Sequence, residues 1–409
     1  MRSEAVMSTR PRLRVVRPGE VAPAVARARA ERSARRVLAT ASLSTASLTT
    51  IGLVMVLSAS SVSAFAAYGS SFLFFKRQLL YAAMGSVALL GAAKLPYRAW
   101  KRAWAPMLAV SVVLLALVLH PGAGTVVGGA ARWIQVGPFS LQPSELAKFA
   151  VVAAAASILS ANVDRLEVEP LRWMLPLFLI VGGVSLLVLL QPDLGTMTVI
   201  AATAFLLLFL AGVRLRLLAI TLFLSAGAGT ALVLGWGYRR ARLLSFLHPW
   251  SDPQNTGYQI VQSLIALGSG HLVGVGLGAS RQKWMYVPNA HTDFIFAILG
   301  EELGLLGELA VLALFGALLW AGIRIALRAP DTFGRLLAGG ITAWLGLQAV
   351  VNLGAVTGVM PITGVPLPFV SFGGSSLVVS MGAVGVLLSV GRAGLPGKKT
   401  PARARKRER

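Results

Sequence analysis

Cysteine is absent from all 409 residues, which removes disulfides, thiolate metal ligands and cysteine nucleophiles whichever compartment a loop faces. Charge is scarce as well: 13% of the residues are charged, and only 15 are acidic. No Walker loop and no nucleophile-elbow serine occur. The four histidines, His120, His248, His271 and His291, show no metal-ligand spacing. The stretch Gly274-Val275-Gly276-Leu277-Gly278-Ala279 imitates a dinucleotide loop, but no strand precedes it. With no nucleotide cofactor to draw on, a reaction carried by this chain must take its driving force from the substrate.

What the chain has in abundance is apolar sequence. Hydrophobic residues make up 56%, more than a soluble core of this length hides, and they come in blocks of roughly 17 to 25, the number that spans about 30 Å of hydrocarbon as helix. The blocks fall at roughly 48–66, 78–94, 103–120, 144–161, 172–190, 194–212, 216–236, 303–325, 334–354 and 376–391. The expected fold is all-α: a polytopic membrane protein of about ten transmembrane helices over residues 45–392, with a long extracytoplasmic loop, 237–302, between helices 7 and 8.

The net charge of +23 comes largely from the ends. Ten arginines lie in residues 1–36, and eight Lys or Arg in 392–409. Residues 1–44 and 393–409 read as basic, disordered cytoplasmic tails, a topology signal with attraction to anionic lipid, and not as a nucleic-acid interface. Lys94, Arg98, Lys101, Arg102, Arg214, Arg216, Arg324, Arg328 and Arg335 put the short loops on the same side. The segment Gly358 to Ser375 carries Pro361, Pro366 and Pro368 and no charge. It cannot be continuous helix, so it is expected to dip toward the centre of the protein, where irregular backbone is tolerated.

Polar chemistry gathers on the opposite, outer side. Asp293 stands where the polar stretch Pro288 to Asp293 turns into an apolar run. In a continuous helix Ala297, Gly300, Gly304 and Gly307 would share its stripe and let a neighbour approach. Desolvation would then tune Asp293 toward a base, the alternative being a capping or ion-paired carboxylate. Glu145 and Lys148 fall three apart on one helical face, either as a salt bridge that neutralises two buried charges or as the lining of a polar substrate cavity. Arg239, Arg240 and Arg242, with Arg281 and Lys283, place positive charge on the outer side, either on lipid headgroups or on an anionic ligand such as a diphosphate. Ser375 and Ser376 open the last span, where free N–H groups favour an anion.

Taken together, Gln142 to Lys148, Gly257-Tyr258-Gln259 through Gly270, Gln282-Lys283, His291 to Phe296, Gly300-Glu301-Glu302 and Pro366 to Ser376 resemble the SEDS family (shape, elongation, division and sporulation), and its FtsW branch more than its RodA branch. The resemblance covers about residues 45 to 392. It implies an inverting glycosyltransferase that polymerises lipid II at the outer face of the cytoplasmic membrane, with undecaprenyl diphosphate as leaving group. Asp293 matches the family's essential aspartate, implied to be the general base; Glu145 and Lys148 match its cavity pair, and Arg132 and His291 lie in matching segments and join the substrate-binding set. It further implies a class B penicillin-binding protein and other divisome membrane proteins as partners, enrichment at the division septum, and stimulation by a divalent cation, Mg2+ or Mn2+. Ala131 stands where a second Arg is frequent, and His271 and Met285 where glycines are. A transporter that flips the lipid-linked precursor is the alternative reading.

Overall fold

A computed structural model of the chain describes residues 18–395 except 123, 128, 129, 138, 167 and 235–245. Its longer helices are α1 Pro18–Tyr68, α2 Leu73–Lys94, α3 Trp100–Leu119, α4 Pro143–Ala161, α5 Pro170–Leu190, α6 Leu194–Leu210, α7 Leu215–Leu234, α8 Tyr258–Ser269, α9 Ile295–Leu327, α10 Thr332–Val356 and α11 Gly374–Ala393. Among the described residues eight of these are long and apolar enough to cross a membrane, α1 to α5 and α9 to α11, and two shorter apolar helices, in α6 and α7, complete the set read from the sequence.

The helices divide into an inner and an outer group. α4, α10 and α11 are buried along most of their length and rich in small residues, among them Ala153 to Ala156, Gly340 and Gly385. A Cβ on Gly385 would stand 2.3 Å from the carbonyl of Leu89, and one on Gly340 2.8 Å from Val152. Backbones approach this closely because apolar surface gains little by leaving lipid, so association rests on packing. α2, α5 and α7 instead turn Leu79, Val87, Leu175, Leu179, Leu222 and Phe223 outward, the surface that hydrocarbon covers.

Three local features differ from the sequence reading. The first helix begins at Pro18, so residues 18–44, expected as disordered tail, continue it; their Ala, Arg and Glu content favours helix, and Ala34, Val37 and Ala41 are buried. Residues 121–143 contain a small antiparallel meander, β1 Thr125–Val127, β2 Ala130–Val136 and β3 Phe139–Leu141, inside an otherwise helical chain. Finally, α9 starts at Ile295 and is interrupted at Gly304 (φ 65°, ψ −170°), so the small-residue stripe from Asp293 does not run on to Gly307.

The break has a structural partner. Leu305 and Leu306 N–H donate to the carbonyls of His271 and Leu272, and the carbonyls of Glu301 and Glu302 accept from Val275 and Gly276 N–H. The loop thus takes the backbone groups that the interruption frees, which is what makes a broken helix tolerable in a membrane. Gly304 suits the left-handed backbone, and a Cβ there would meet Gly274 N at 2.4 Å.

Candidate active site

The segment between α10 and α11, residues 357–373, is the irregular element that positions the site. Val365, Leu367, Phe369 and Val370 are buried. A Cβ on Gly52 of α1 would lie 2.5 Å from the Phe369 carbonyl, and Gly52 stands about 24 Å along the helix from its end at Tyr68 at 1.5 Å per residue. The segment therefore dips into the body of the protein. Gln78 of α2 clasps its far end, donating to Ser371 O at 3.1 Å and accepting from Gly373 N at 3.4 Å.

Asp293 lies one residue before Phe294, the N-cap of α9, half-buried, and its carboxylate faces this segment: a Cβ on Gly364 would be 3.5 Å from Asp293 Oδ2. Gly364 has φ 71°. The Asp293 carbonyl accepts from Asn352 Nδ2 of α10 at 2.8 Å, and the same nitrogen donates to Val365 O at 2.8 Å. A carboxylate held against a glycine backbone, at the mouth of a buried segment, can accept a proton from a hydroxyl presented there.

One turn earlier on α10, Gln348 links this segment to α4. Its Nε2 donates to Pro366 O at 3.0 Å, and its Oε1 accepts from Lys148 Nζ at 2.6 Å and Trp344 Nε1 at 2.9 Å. Lys148 Nζ also lies 2.9 Å from Glu145 Oε1, both side chains 1% exposed, and 5.5 Å from the centre of the Trp344 ring. Glu145 Oε2 and Ser144 Oγ are buried without a hydrogen-bond partner among the described residues. Two sequence candidates thus meet in one buried pair, joined through Gln348 to the segment that faces Asp293.

The remaining candidates lie elsewhere. Lys283 is buried beside the α9 break, with its Nζ 3.3 Å from Glu302 Oε1 and 2.6 Å from Gly278 O. Glu302 Oε1 also accepts from Ser58 Oγ at 2.6 Å, and the Glu301 carboxylate accepts from Ser280 Oγ and from the N–H groups of Arg281 and Gln282. Arg132 of β2 donates to the carbonyls of Gln191 and Pro192 after α5. Ser375 Oγ accepts from Gln142 N at 2.9 Å and donates to Ser140 O at 3.1 Å, tying α11 to the start of α4, and Ser376 is buried next to it. Arg239, Arg240 and Arg242 lie outside the described residues.

His291 packs its ring 4.7 Å from Phe74 and 5.7 Å from Phe372, while its carbonyl accepts from Phe372 N. Burial in this aromatic setting pulls its pKa down to about 4, so the imidazole is neutral near pH 7. Any part it takes in binding is as a neutral hydrogen-bonding group.

Gln348, Asn352 and Gln78 were not among the sequence candidates. Amides in apolar spans are costly unless satisfied, and Trp344, Gln348 and Asn352 recur every four residues on one stripe. That spacing was the available signal.

A family model described as cell cycle protein, covering FtsW, RodA and SpoVE, matches residues 39–394. The chain belongs to that family. It is 47% identical over 343 residues to stage V sporulation protein E of Bacillus subtilis, covering 84% of this chain and 93% of that protein. It is 44% identical over 339 residues to the probable peptidoglycan glycosyltransferase FtsW of Geobacter metallireducens, covering 83% and 90%. Among solved structures it resembles a chain from work on structural coordination of polymerization and crosslinking by a peptidoglycan synthase complex, with a TM-score of 0.72 and 32% identity over 87% of this chain and 98% of that one. Thermus thermophilus RodA, a rod shape determining protein, gives a TM-score of 0.64 and 30% identity over 86% and 95%.

Proposed function

We propose that this family member is a peptidoglycan glycosyltransferase that polymerises lipid II at the outer face of the cytoplasmic membrane, in septal wall synthesis. The observation that carries the chemistry is Asp293 Oδ2 facing Gly364 of a segment buried between α1, α2 and α10. Asp293 takes the proton of the acceptor sugar hydroxyl. The freed oxygen bonds to the anomeric carbon of the donor as the bond from that carbon to the diphosphate oxygen breaks, with inversion, and undecaprenyl diphosphate leaves with the electron pair. Charge on the departing diphosphate is met from the outer basic residues, with the Arg239, Arg240 and Arg242 cluster as the source that the sequence supplies. A class B penicillin-binding protein crosslinks the product strand, a reading supported by the likeness to a chain of a polymerising and crosslinking complex. Both ends of the chain are cytoplasmic, on the evidence of the basic short loops.

Among the described residues no three His, Asp or Glu side chains are grouped to hold a metal ion. A stimulating divalent cation would be held through the donor's phosphate oxygens with one or two carboxylates, as is usual for Mg2+, and would offset charge on the leaving diphosphate. No proton transfer above passes through it.

The test uses purified protein with its crosslinking partner and lipid II in detergent, where transport has no meaning. Wild type makes glycan strands, and Asp293→Asn, which keeps shape but loses basicity, falls by about 10² to 10⁴. Glycan made equally by the Asn variant overturns the base assignment; absence of glycan from wild type, together with Asp293-dependent movement of lipid II across liposomes, establishes the transporter instead.

A further inference from the structure

α10 supplies more to the Asp293 site than packing. An asparagine amide has two N–H protons in a fixed planar fork, and Asn352 gives both to main-chain carbonyls from different parts of the chain, Asp293 O and Val365 O, each at 2.8 Å. The reverse orientation would set Oδ1 against two carbonyl oxygens, so the amide has one stable pose. Asn352 is 2% exposed, and its Oδ1 is buried without a partner among the described residues. Leaving a buried acceptor unsatisfied costs about 1–3 kcal/mol. A leucine would fill the same space but leave the Asp293 and Val365 carbonyls without this donor, so what the amide adds to packing is its hold on those two carbonyls.

The next turn repeats the device. Gln348 holds Pro366 O at 3.0 Å, so two consecutive carbonyls, 365 and 366, are pinned by two amides four residues apart on one helix. Immediately before them is Gly364, the residue that faces the Asp293 carboxylate. One stripe of α10 thereby fixes both the main chain that carries the carboxylate and the wall opposite it. Gln348 also contacts the Lys148 ammonium, which references the same stripe to α4.

We propose that Asn352, seconded by Gln348, is a positioning residue for glycosyl transfer: it sets the separation between the Asp293 carboxylate and the 363–366 wall against which the acceptor hydroxyl is presented. This rests on the reading of Asp293 as the base. Misplacing a catalytic group by about 1 Å costs on the order of 10²-fold in rate, whereas ground-state binding made elsewhere on a long lipid-linked substrate is little affected.

The experiment compares full-length wild type, Asn352→Leu, Asn352→Asp and Asp293→Asn, each with the crosslinking partner, using lipid II in detergent and reading kcat and KM. Asn352→Leu is expected to lower kcat at least about tenfold with KM changed less than about threefold. In Asn352→Asp the buried carboxyl faces two carbonyl oxygens and is held protonated, so it can donate to one of them in place of two; kcat is expected between those of Asn352→Leu and wild type, a partial rescue that a residue serving only to fill space would not give. Wild-type kcat in Asn352→Leu, a loss confined to KM, or a kcat in Asn352→Asp no higher than in Asn352→Leu overturns the proposal. Should Asn352→Leu fail to fold, Asn352→Asp decides: a lowered kcat with KM little changed supports the proposal, and a wild-type kcat or a loss confined to KM overturns it. Full activity in Asp293→Asn removes the base reading and this inference with it; inactivity there beside wild-type kinetics in both Asn352 variants removes this inference alone.

Discussion

Lys283 and Glu302 form an ion pair at 3.3 Å with side chains 5% and 0% exposed, next to the interruption of α9. Glu302 Oε1 gathers Ser58 of α1 into the same contact, and Glu301 one position earlier gathers the turn 280–282. Two adjacent carboxylates therefore fasten the long loop and α1 to the broken helix. A lysine placed this way is held by Glu302, Ser58 and the Gly278 carbonyl at once.

Removing one partner of such a pair leaves an uncompensated buried charge, which costs about 3–5 kcal/mol. Lys283→Met is accordingly expected to lower the melting temperature of the detergent-solubilised protein strongly, and Lys283→Met with Glu302→Gln to recover much of the loss. A Lys283→Met protein that melts like wild type while its KM for lipid II rises would return Lys283 to the substrate.

How far the sequence carried this structure depends on the kind of signal. The membrane helices were legible because length and hydropathy are local, and the placement of the Pro-rich segment 358–375 inside the protein followed from the backbone rule that only buried or wet surroundings tolerate non-helical chain at that depth. Glu145 and Lys148 were legible as a pair from their spacing alone. The α9 break was not, because Gly304 in an apolar run reads equally as a close-packing glycine; its conformation is decided by the distant loop 271–276, which supplies the missing hydrogen bonds. The same holds for Asn352, whose partners lie at positions 293 and 365. For Lys283 the sequence offered lipid headgroups or an anionic ligand, and it could not show the ion pair with Glu302 across the loop.

His271 and Met285 replace residues that are frequently glycine in the family the chain resembles, and both adopt left-handed backbone, φ 49° and 69°. For a side chain this conformation costs roughly 1–2 kcal/mol relative to the right-handed one, while glycine loses more entropy on folding, by roughly 0.5–1 kcal/mol. Met285 is 70% exposed, so its removal sacrifices little packing. Met285→Gly is expected to be neutral to stabilising by up to about 1 kcal/mol, and Met285→Val, β-branched, to be destabilising. Thermal unfolding of both variants checks this; a clear loss of stability in the glycine variant would mean that the methionine makes a contact worth more than the strain it relieves.

The burial of His291 ties the stability of the protein to pH. Its ring between Phe74 and Phe372 has a pKa pulled down to about 4 by burial, against 6.5 for a solvated imidazole. Between those two values the unfolded chain binds a proton that the folded one refuses, so stability rises with pH across that window and this contribution falls away as pH drops from about 6.5 to about 4. Above about 6.5 both states are neutral and the contribution is flat. Other groups titrate in the same range, so the quantity to measure is the difference between wild type and His291→Asn in melting temperature against pH. The Asn variant should lack the part of the acid slope that His291 supplies, giving a difference that changes between pH 4 and 6.5 and is constant above it. Activity offers a second reading: with His291 neutral throughout, it supplies no limb to the pH–rate profile between 5 and 8, and a limb near 6.5 that disappears in His291→Asn would show that the ring is solvated and takes up a proton in the working enzyme.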